Sequence, residues 1–138
     1  MALERVWPED VYVRQIPEFS GKLYTQVIKA SGARVAIHVA GTLPFDKDNQ
    51  LIGDGSMRLQ VRAVLDAIGK SLASVGARPS DVVRTKTYVT DMTAYLREGH
   101  REYLGFFGDK LPVSTTVGIT ELADGRCLVE IEAYAEIE

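Results

Sequence analysis

Hydroxyl side chains cluster in the segment "VSTTV" near the end of the chain, and carboxylates alternate with apolar side chains in the segment "VEIEA" that follows. An alternation of period two places side chains on one face of a β-strand. Carboxylates can take part in proton transfer, and hydroxyl groups can bind the polar part of a small molecule. The four side chains that we expect to share one face are Ser114, Thr116, Glu130 and Glu132. They indicate either a reactive surface or an ordinary solvent-exposed one, and a reactive surface requires something that covers it.

The two segments flank an Asp124-Gly125 pair, which is typical of a tight turn between paired strands. A two-residue loop would place Ile119 opposite Glu130 and so mix apolar and charged side chains on both faces. Matching faces require an odd-length loop or a bulge, with Gly125 at positive φ. We therefore predict an antiparallel pair of strands in which Ser114 and Glu130 lie on the same face.

The other elements follow from changes in the period of the apolar residues. Asp54 or Ser56 can cap the start of one helix, and Asp91 or Thr93 the start of a second. The elements predicted in this way are strands within 23–32, 34–44 and 81–92, a helix over 56–75 and a second helix between 93 and 108. The order β-β-α-β-α-β-β, with a possible further N-terminal strand, indicates an α+β fold. We expect a mainly antiparallel sheet with both helices on one face.

The composition restricts the classes of protein to consider. With 46% hydrophobic and 25% charged residues, the chain predicts one globular domain over residues 1–138. A net charge of −3 and the lack of a Lys/Arg cluster give no sign of a nucleic-acid surface. Cys127 is the only cysteine, which favours a reducing, cytoplasmic setting. The charged N-terminal segment with Pro8 predicts neither a signal peptide nor an anchor, and no apolar run is long enough to cross a membrane. His38 and His100 show no metal-ligand spacing, so we predict no metal site.

Short motifs at compatible spacing add a family resemblance. They are "LYTQ" (23–26), "VAGTLP" (39–44), "QVR" (60–62), "YVTDM" (88–92), and "LPVSTTV" (111–117) followed by "VEIEA" (129–133). In this order they resemble motifs of the reactive intermediate deaminase family, the Rid/YjgF proteins. The resemblance implies a chorismate-mutase-like α+β subunit that assembles as a homotrimer. In such a trimer the sheets face inward, and the ligand clefts lie between neighbouring subunits.

The resemblance also implies an activity and a set of site residues. The family hydrolyses enamines and imines to ketones and ammonia, without a metal or an organic cofactor. Carried over by motif, Glu130 is the catalytic carboxylate that orients the water. The substrate-binding residues that the resemblance implies are Tyr24, Gly41, His100, Ser114 and Thr116.

Ser114 departs from the family pattern, because the resemblance places an arginine at this position. A hydroxyl group cannot neutralise a carboxylate or reproduce the bidentate geometry of a guanidinium. We therefore predict a substrate other than a simple 2-imino acid, and aminomuconate-type compounds are plausible. Another cation could compensate, and His100 is a better candidate than Arg84, Lys86 or Arg126.

A second hypothesis is a non-catalytic trimer that binds a small metabolite in the cleft between subunits. Retention of Glu130 and Tyr24 favours the enzyme, whereas loss of the arginine favours binding alone. Cleavage of RNA, which has been attributed to some relatives, is disfavoured by the acidic balance of the chain. The predicted partners are therefore a small molecule and further copies of this chain, without nucleic acid or membrane.

Overall fold

The computed structural model describes residues 1–17 and 19–138. The strands are β1 (Ala2–Val6), β2 (Val27–Ser31), β3 (Val35–Thr42), β4 (Val82–Val89), β5 (Val113–Gly118) and β6 (Val129–Ile137). The helices are α1 (Met57–Ala73), α2 (Met92–Ala94) and α3 (His100–Phe107). A π-helical turn over Tyr95–Gly99 joins α2 to α3, so these two form one continuous helix. None of the helices described here is long and apolar enough to cross a membrane.

Four strands form a mixed, mainly antiparallel sheet in the order β3-β6-β4-β5. β6 runs antiparallel to both of its neighbours, whereas β5 runs parallel to β4. β1 and β2 form a separate antiparallel pair, so the predicted extra N-terminal strand is present. α1 packs against β3 and β6, and it also contacts α3 and the π-helical turn. The predicted α+β fold, with both helices on one face of the sheet, is confirmed.

The predicted pairing of the last two strands is wrong, because β4 lies between β5 and β6. The segment that joins them crosses the end of β4. There Ile119 N–H donates to the carbonyl of Val89 (2.8 Å), and Thr90 N–H donates to the carbonyl of Leu128 (3.1 Å). Gly125 also lacks the positive φ that the predicted turn required. A central β4 has its backbone polar groups paired on both edges, which a direct β5–β6 hairpin would not achieve.

The pairing also assigns the predicted site residues to opposite faces of the sheet, since residues opposite each other on paired strands point to the same face. Ser114 pairs with Thr85, which is fully buried on the helix-covered face. Glu130 pairs with Tyr88 on the other, open face. The prediction of one shared face is therefore wrong for the set Ser114, Thr116, Glu130 and Glu132.

Helix α1 covers the sheet as its apolar period predicted. Its buried residues are Met57, Gln60, Val61, Val64, Leu65, Ile68 and Leu72. The side chain of Ser56 caps the helix by accepting from Leu59 N–H (3.2 Å). The one polar member, Gln60, accepts from Leu128 N–H (2.7 Å) and donates to the carbonyl of Arg126 (3.1 Å). These bonds hold the crossing segment against α1 and so fix where β6 begins.

Candidate functional site

A cavity of about 400 Å³ opens between the N-terminal segment, the second helix and the helix-facing side of β5. Four of the six predicted site residues line it: Tyr24, His100, Ser114 and Thr116. The rest of the described lining consists of Arg14, Ile16, Leu23, Met92, Tyr95 and Leu96. The cavity therefore combines apolar surface with several polar groups, as small-molecule sites do.

Tyr24 is positioned by the segment that precedes β2. Its neighbours Leu23 and Thr25 are buried. Thr25 docks this segment onto the start of β5, since its N–H donates to the carbonyl of Pro112 (3.1 Å) and its hydroxyl to that of Leu111 (2.5 Å). The two buried neighbours leave the Tyr24 ring directed into the cavity, where it lies near β5.

His100 is positioned by the π-helical turn. The N-cap of the helix is Asp91, whose carboxylate accepts from Ala94 N–H (3.0 Å). Gly99, the last residue of the turn, is buried against α1, and a Cβ there would lie 2.8 Å from Cγ2 of Val61. A π-helical turn adds one residue to a helical turn and so redirects the side chains that follow; such turns occur often at functional sites.

The charge state of His100 follows from its surroundings. The ring is partly buried, with its centroid 5.7 Å from that of Tyr95 and 5.8 Å from that of Tyr103. Burial lowers the pKa of His100 below its ordinary value, and the positive charge of Arg14 lowers this pKa further. His100 is therefore a neutral imidazole at neutral pH, able to accept one hydrogen bond and donate another.

Ser114 lies at the base of the cavity beside a buried hydroxyl pair. Tyr103 and Thr85 share a hydrogen bond of 2.6 Å between their oxygens. Burial raises the pKa of Tyr103 to about 12, and the hydroxyl groups of Ser114 and Thr85 act in the opposite direction. The base of the cavity therefore holds neutral hydroxyl groups and no charge.

Glu130 and Gly41 do not line this cavity but contact each other across β6 and the end of β3. A Cβ on Gly41 would overlap the carboxylate of Glu130, so a larger residue there would displace this side chain. The contact lies where the β3–β6 register shifts between Val39 and Thr42. The six predicted residues thus form two groups, four in the cavity and two on the open face of the sheet.

The structure adds one functional candidate that the sequence did not reveal. Arg14 lines the cavity, and its backbone N–H donates to the hydroxyl of Tyr24 (2.9 Å). No periodicity or motif marked this residue, because it lies in an N-terminal segment without helix or strand. The one sequence feature that could have marked Arg14 is its residue type, because it is a charged side chain a short distance before the Tyr24 motif.

The cations considered from the sequence, other than His100, lie elsewhere. Arg84 stacks over the ring of Tyr134 at 5.7 Å, and Lys86 lies 5.4 Å from the ring of Tyr88, both on the open face. Arg126 forms an ion pair of 2.8 Å with Asp124. Within residues 1–17 and 19–138, no cluster of three or more His, Cys, Asp or Glu side chains is arranged to hold a metal ion.

The fold is that of a small α+β protein with a cavity beside the sheet, and sequence comparison identifies the family. The family model described as Endoribonuclease L-PSP matches residues 15–137. The chain therefore belongs to this family, whose members include the Rid/YjgF proteins. The family resemblance of its motifs is thereby confirmed.

Individual relatives agree with this assignment. A RutC family protein of Sulfurisphaera tokodaii is 30% identical over 123 residues, which cover 89% of this chain and 94% of the relative. A RutC family protein of Pyrococcus abyssi is 29% identical over 127 residues, covering 92% and 95%. The solved structure of the Rid family protein YyfB from Yersinia pestis is 26% identical and superimposes with a TM-score of 0.85, covering 99% of this chain and 100% of that one. The YjgF-like fold is thus established over nearly the whole chain.

Proposed function

We propose that this protein is a cofactor-free hydrolase that converts an enamine or imine to a carbonyl compound and ammonia. Its site would form between neighbouring copies in a homotrimer. The observation that carries the proposal is the cavity of about 400 Å³ that collects Tyr24, His100, Ser114 and Thr116. Family membership supports a role of this general kind, an imine hydrolase or a small-molecule binder.

The division of the site residues into two groups is the argument for a homotrimer. The carboxylate of Glu130 occupies the open face of the sheet, and the sheet separates it from the cavity of its own subunit. This face carries polar and aromatic side chains, among them His38 and Tyr134, whose rings meet edge to face at 5.1 Å. A second copy packed against the open face would cover these groups and bring its own cavity towards Glu130.

The proposed reaction needs only groups that this chain supplies. An enamine first gains a proton at carbon and loses one from nitrogen, which gives the imine. Water then adds to the imine carbon, and its proton passes to the nitrogen, which gives a carbinolamine. Collapse of this intermediate releases ammonia and leaves the carbonyl product. Glu130 of a neighbouring copy would orient and deprotonate the water, while the neutral imidazole of His100 would accept or donate a proton at the nitrogen.

The substrate is proposed to be other than a simple 2-imino acid. The neutral base of the cavity offers no cation at Ser114 to hold a carboxylate on the reacting carbon. Small side chains at Ser114 and Thr116 leave volume for a larger molecule, and an aminomuconate-type compound is one candidate. The family description names an endoribonuclease, but the net charge of −3 does not favour binding to RNA. A reducing, cytoplasmic location is part of the same proposal, since Cys127 is free and buried.

A second candidate function is a trimer that binds a small metabolite without catalysis. The absence of a cation at Ser114 favours it, because a protein that only captures its ligand does not have to hold a carboxylate at a reacting carbon. The two functions differ in what they require of Glu130. A hydrolase needs this carboxylate for turnover, whereas a binding protein needs it at most for affinity.

The test is ammonia release from a panel of enamines and imines other than simple 2-imino acids, with the 2-imino acids that amino-acid oxidases generate as the comparison set. Glu130→Gln should lower turnover by about 100-fold, the usual size of a lost acid–base group. Glu132→Gln is the matched control, because Glu132 lies on the same strand and face and accepts a long hydrogen bond (3.4 Å) from Tyr88. Equal turnover in the parent and both variants would exclude the proposed role of Glu130, and the absence of ammonia release from every compound in the parent would exclude the hydrolase and leave the binding function.

A further inference from the structure

We propose that Arg14 binds a carboxylate of the ligand, and that this anchor reaches the cavity from the N-terminal segment rather than from the sheet. The inference rests on the proposed function for the location of the site and adds the charge that the substrate must carry. The observation behind it is that Arg14 is the one arginine or lysine among the described residues that line the cavity.

The backbone of Arg14 is held at the cavity although its side chain is exposed. Its N–H donates to the hydroxyl of Tyr24 (2.9 Å), a residue of the cavity wall. The carbonyl of Tyr24 in turn accepts from Nε1 of Trp7 (2.8 Å), earlier in the same segment. Two hydrogen bonds to one residue therefore tie the N-terminal segment to the wall. The guanidinium lies close enough to His100 for its positive charge to lower the pKa of that imidazole.

The surroundings of Arg14 favour an anion. None of the described residues that line the cavity is acidic, so the positive charge is not neutralised from within it. The hydroxyl of Tyr24 already accepts a hydrogen bond from Arg14 N–H, which leaves its own proton free to donate. A guanidinium and a phenol O–H in the lining of one cavity supply the donors that a carboxylate accepts, and guanidinium binds carboxylates in a bidentate manner.

The remaining walls describe the rest of the ligand. Ile16, Leu23 and Leu96 provide apolar surface in the same cavity. Ser114 lies at the base of the cavity, on a different element from Arg14. A ligand held by Arg14 therefore has its carboxylate at the mouth and an apolar or unsaturated body inside. The substrate class is an imino or enamino acid in which a carboxylate lies apart from the reacting carbon.

Binding of a matched pair of probes tests the anchor without any turnover. Phenylacetate and phenylacetamide have nearly the same shape, but only phenylacetate carries a negative charge. The parent should bind phenylacetate about tenfold or more tightly than phenylacetamide, as measured by calorimetry. Arg14→Gln should abolish this preference, a loss of about ten- to a hundredfold for a charge-assisted contact. Arg14→Lys should retain part of it, because lysine keeps the charge but not the bidentate geometry.

Arg97→Gln is the control variant. Arg97 is an exposed arginine of the π-helical turn that does not line the cavity, and its loss changes the net charge by the same amount. The proposal is overturned if the parent binds both probes equally, or if Arg97→Gln weakens phenylacetate as much as Arg14→Gln does.

The ring signals of His100 in NMR spectra give a second readout. Arg14, Tyr95 and Tyr103 are the titratable groups that lie against this ring. Bound phenylacetate should raise the pKa of His100 in the parent, because a negative charge now lies beside Arg14, and should not do so in Arg14→Gln. An unchanged titration of His100 on adding saturating phenylacetate to the parent would contradict the placement of the carboxylate.

These experiments separate the inference from the proposed function. If Arg14→Gln loses carboxylate binding but no imine is hydrolysed by the parent, the anchor stands and the hydrolase fails. If the parent hydrolyses an imino acid and Arg14→Gln leaves KM unchanged, the hydrolase stands and the anchor is wrong.

Discussion

At the scale of single residues, Ser114 and Arg14 set the charge of the cavity lining. Ser114 contributes a neutral hydroxyl beside Tyr103, and Arg14 contributes a charge from another element. A ligand carboxylate near Ser114 would therefore meet neutral hydroxyl groups, whereas one near Arg14 would meet a positive charge.

The first prediction concerns Ser114→Arg. The parent should hydrolyse 2-iminopropanoate poorly, and the variant should raise this activity about tenfold, which corresponds to ~1.4 kcal/mol of transition-state stabilisation. The gain is modest because the new guanidinium must fit beside the Tyr103–Thr85 hydroxyl pair. The measurement is ammonia release with the imine supplied by an amino-acid oxidase, on proteins of verified assembly. High activity already in the parent would show that position 114 does not limit this substrate.

The second prediction concerns the pH dependence of folding. Because burial and Arg14 lower the pKa of His100 in the folded state, the unfolded state binds more protons once the pH falls below about 6.5, the ordinary pKa of histidine. The free energy of unfolding should therefore decrease as the pH falls through this value and level off below the folded pKa. His100→Asn should reduce this decrease, as measured by urea unfolding between pH 7.5 and 5. Identical pH dependence in the two proteins would show that His100 titrates alike in both states.

At the scale of elements, the π-helical turn shapes the cavity. It brings Gly99 against α1 and directs His100 towards β5, while Asp91 fixes where the helix begins. A regular α-helix through the same residues would rotate the side chains after the extra residue and so remove His100 from this wall.

The third prediction compares two glycines of this helix. Gly99→Ala should destabilise the fold by about 1–3 kcal/mol through overpacking, because its Cβ would lie 2.8 Å from Val61 and 2.9 Å from Tyr95. Gly105→Ala should be neutral or stabilise by up to about 1 kcal/mol, since the added methyl group would meet no other part of the fold within 4 Å and alanine favours helix. Urea unfolding followed by circular dichroism measures both. A Gly99→Ala protein as stable as Gly105→Ala would mean that α1 and the π-helical turn can move apart at little cost in free energy.

At the scale of the whole molecule, the open sheet face determines whether the proposed site is complete. One subunit presents Glu130 on this face and the cavity on the other side of the sheet. Because a cyclic trimer joins two different surfaces of each copy, it can place these two groups together three times.

The fourth prediction is a trimer with shared sites. Light scattering should give about three times the subunit mass of 15.2 kDa. Glu130→Gln and His100→Asn subunits, each inactive alone, should recover about a quarter of the parent activity when mixed and reassembled in equal amounts, because that share of the sites combines two intact halves. A monomer, or mixed trimers without activity, would rule out a site built from two copies.

The sequence by itself determined the elements, the fold class and the family. The apolar period of α1, its Ser56 cap and the alternation in β6 depend on local spacing, which is readable along the chain. The motifs also identified four of the residues that meet in the cavity, since each motif carries its site residue at a fixed position.

The tertiary structure decided which of these residues meet. The order of strands places β4 between β5 and β6, and this separates Ser114 from Glu130, because a sheet face depends on which strands are paired. Arg14 enters the site through hydrogen bonds to Tyr24 from a segment without periodicity, and the π-helical turn depends on packing of Gly99 against α1. These features depend on contacts between residues distant in the chain, so they cannot be predicted from the local spacing of residues.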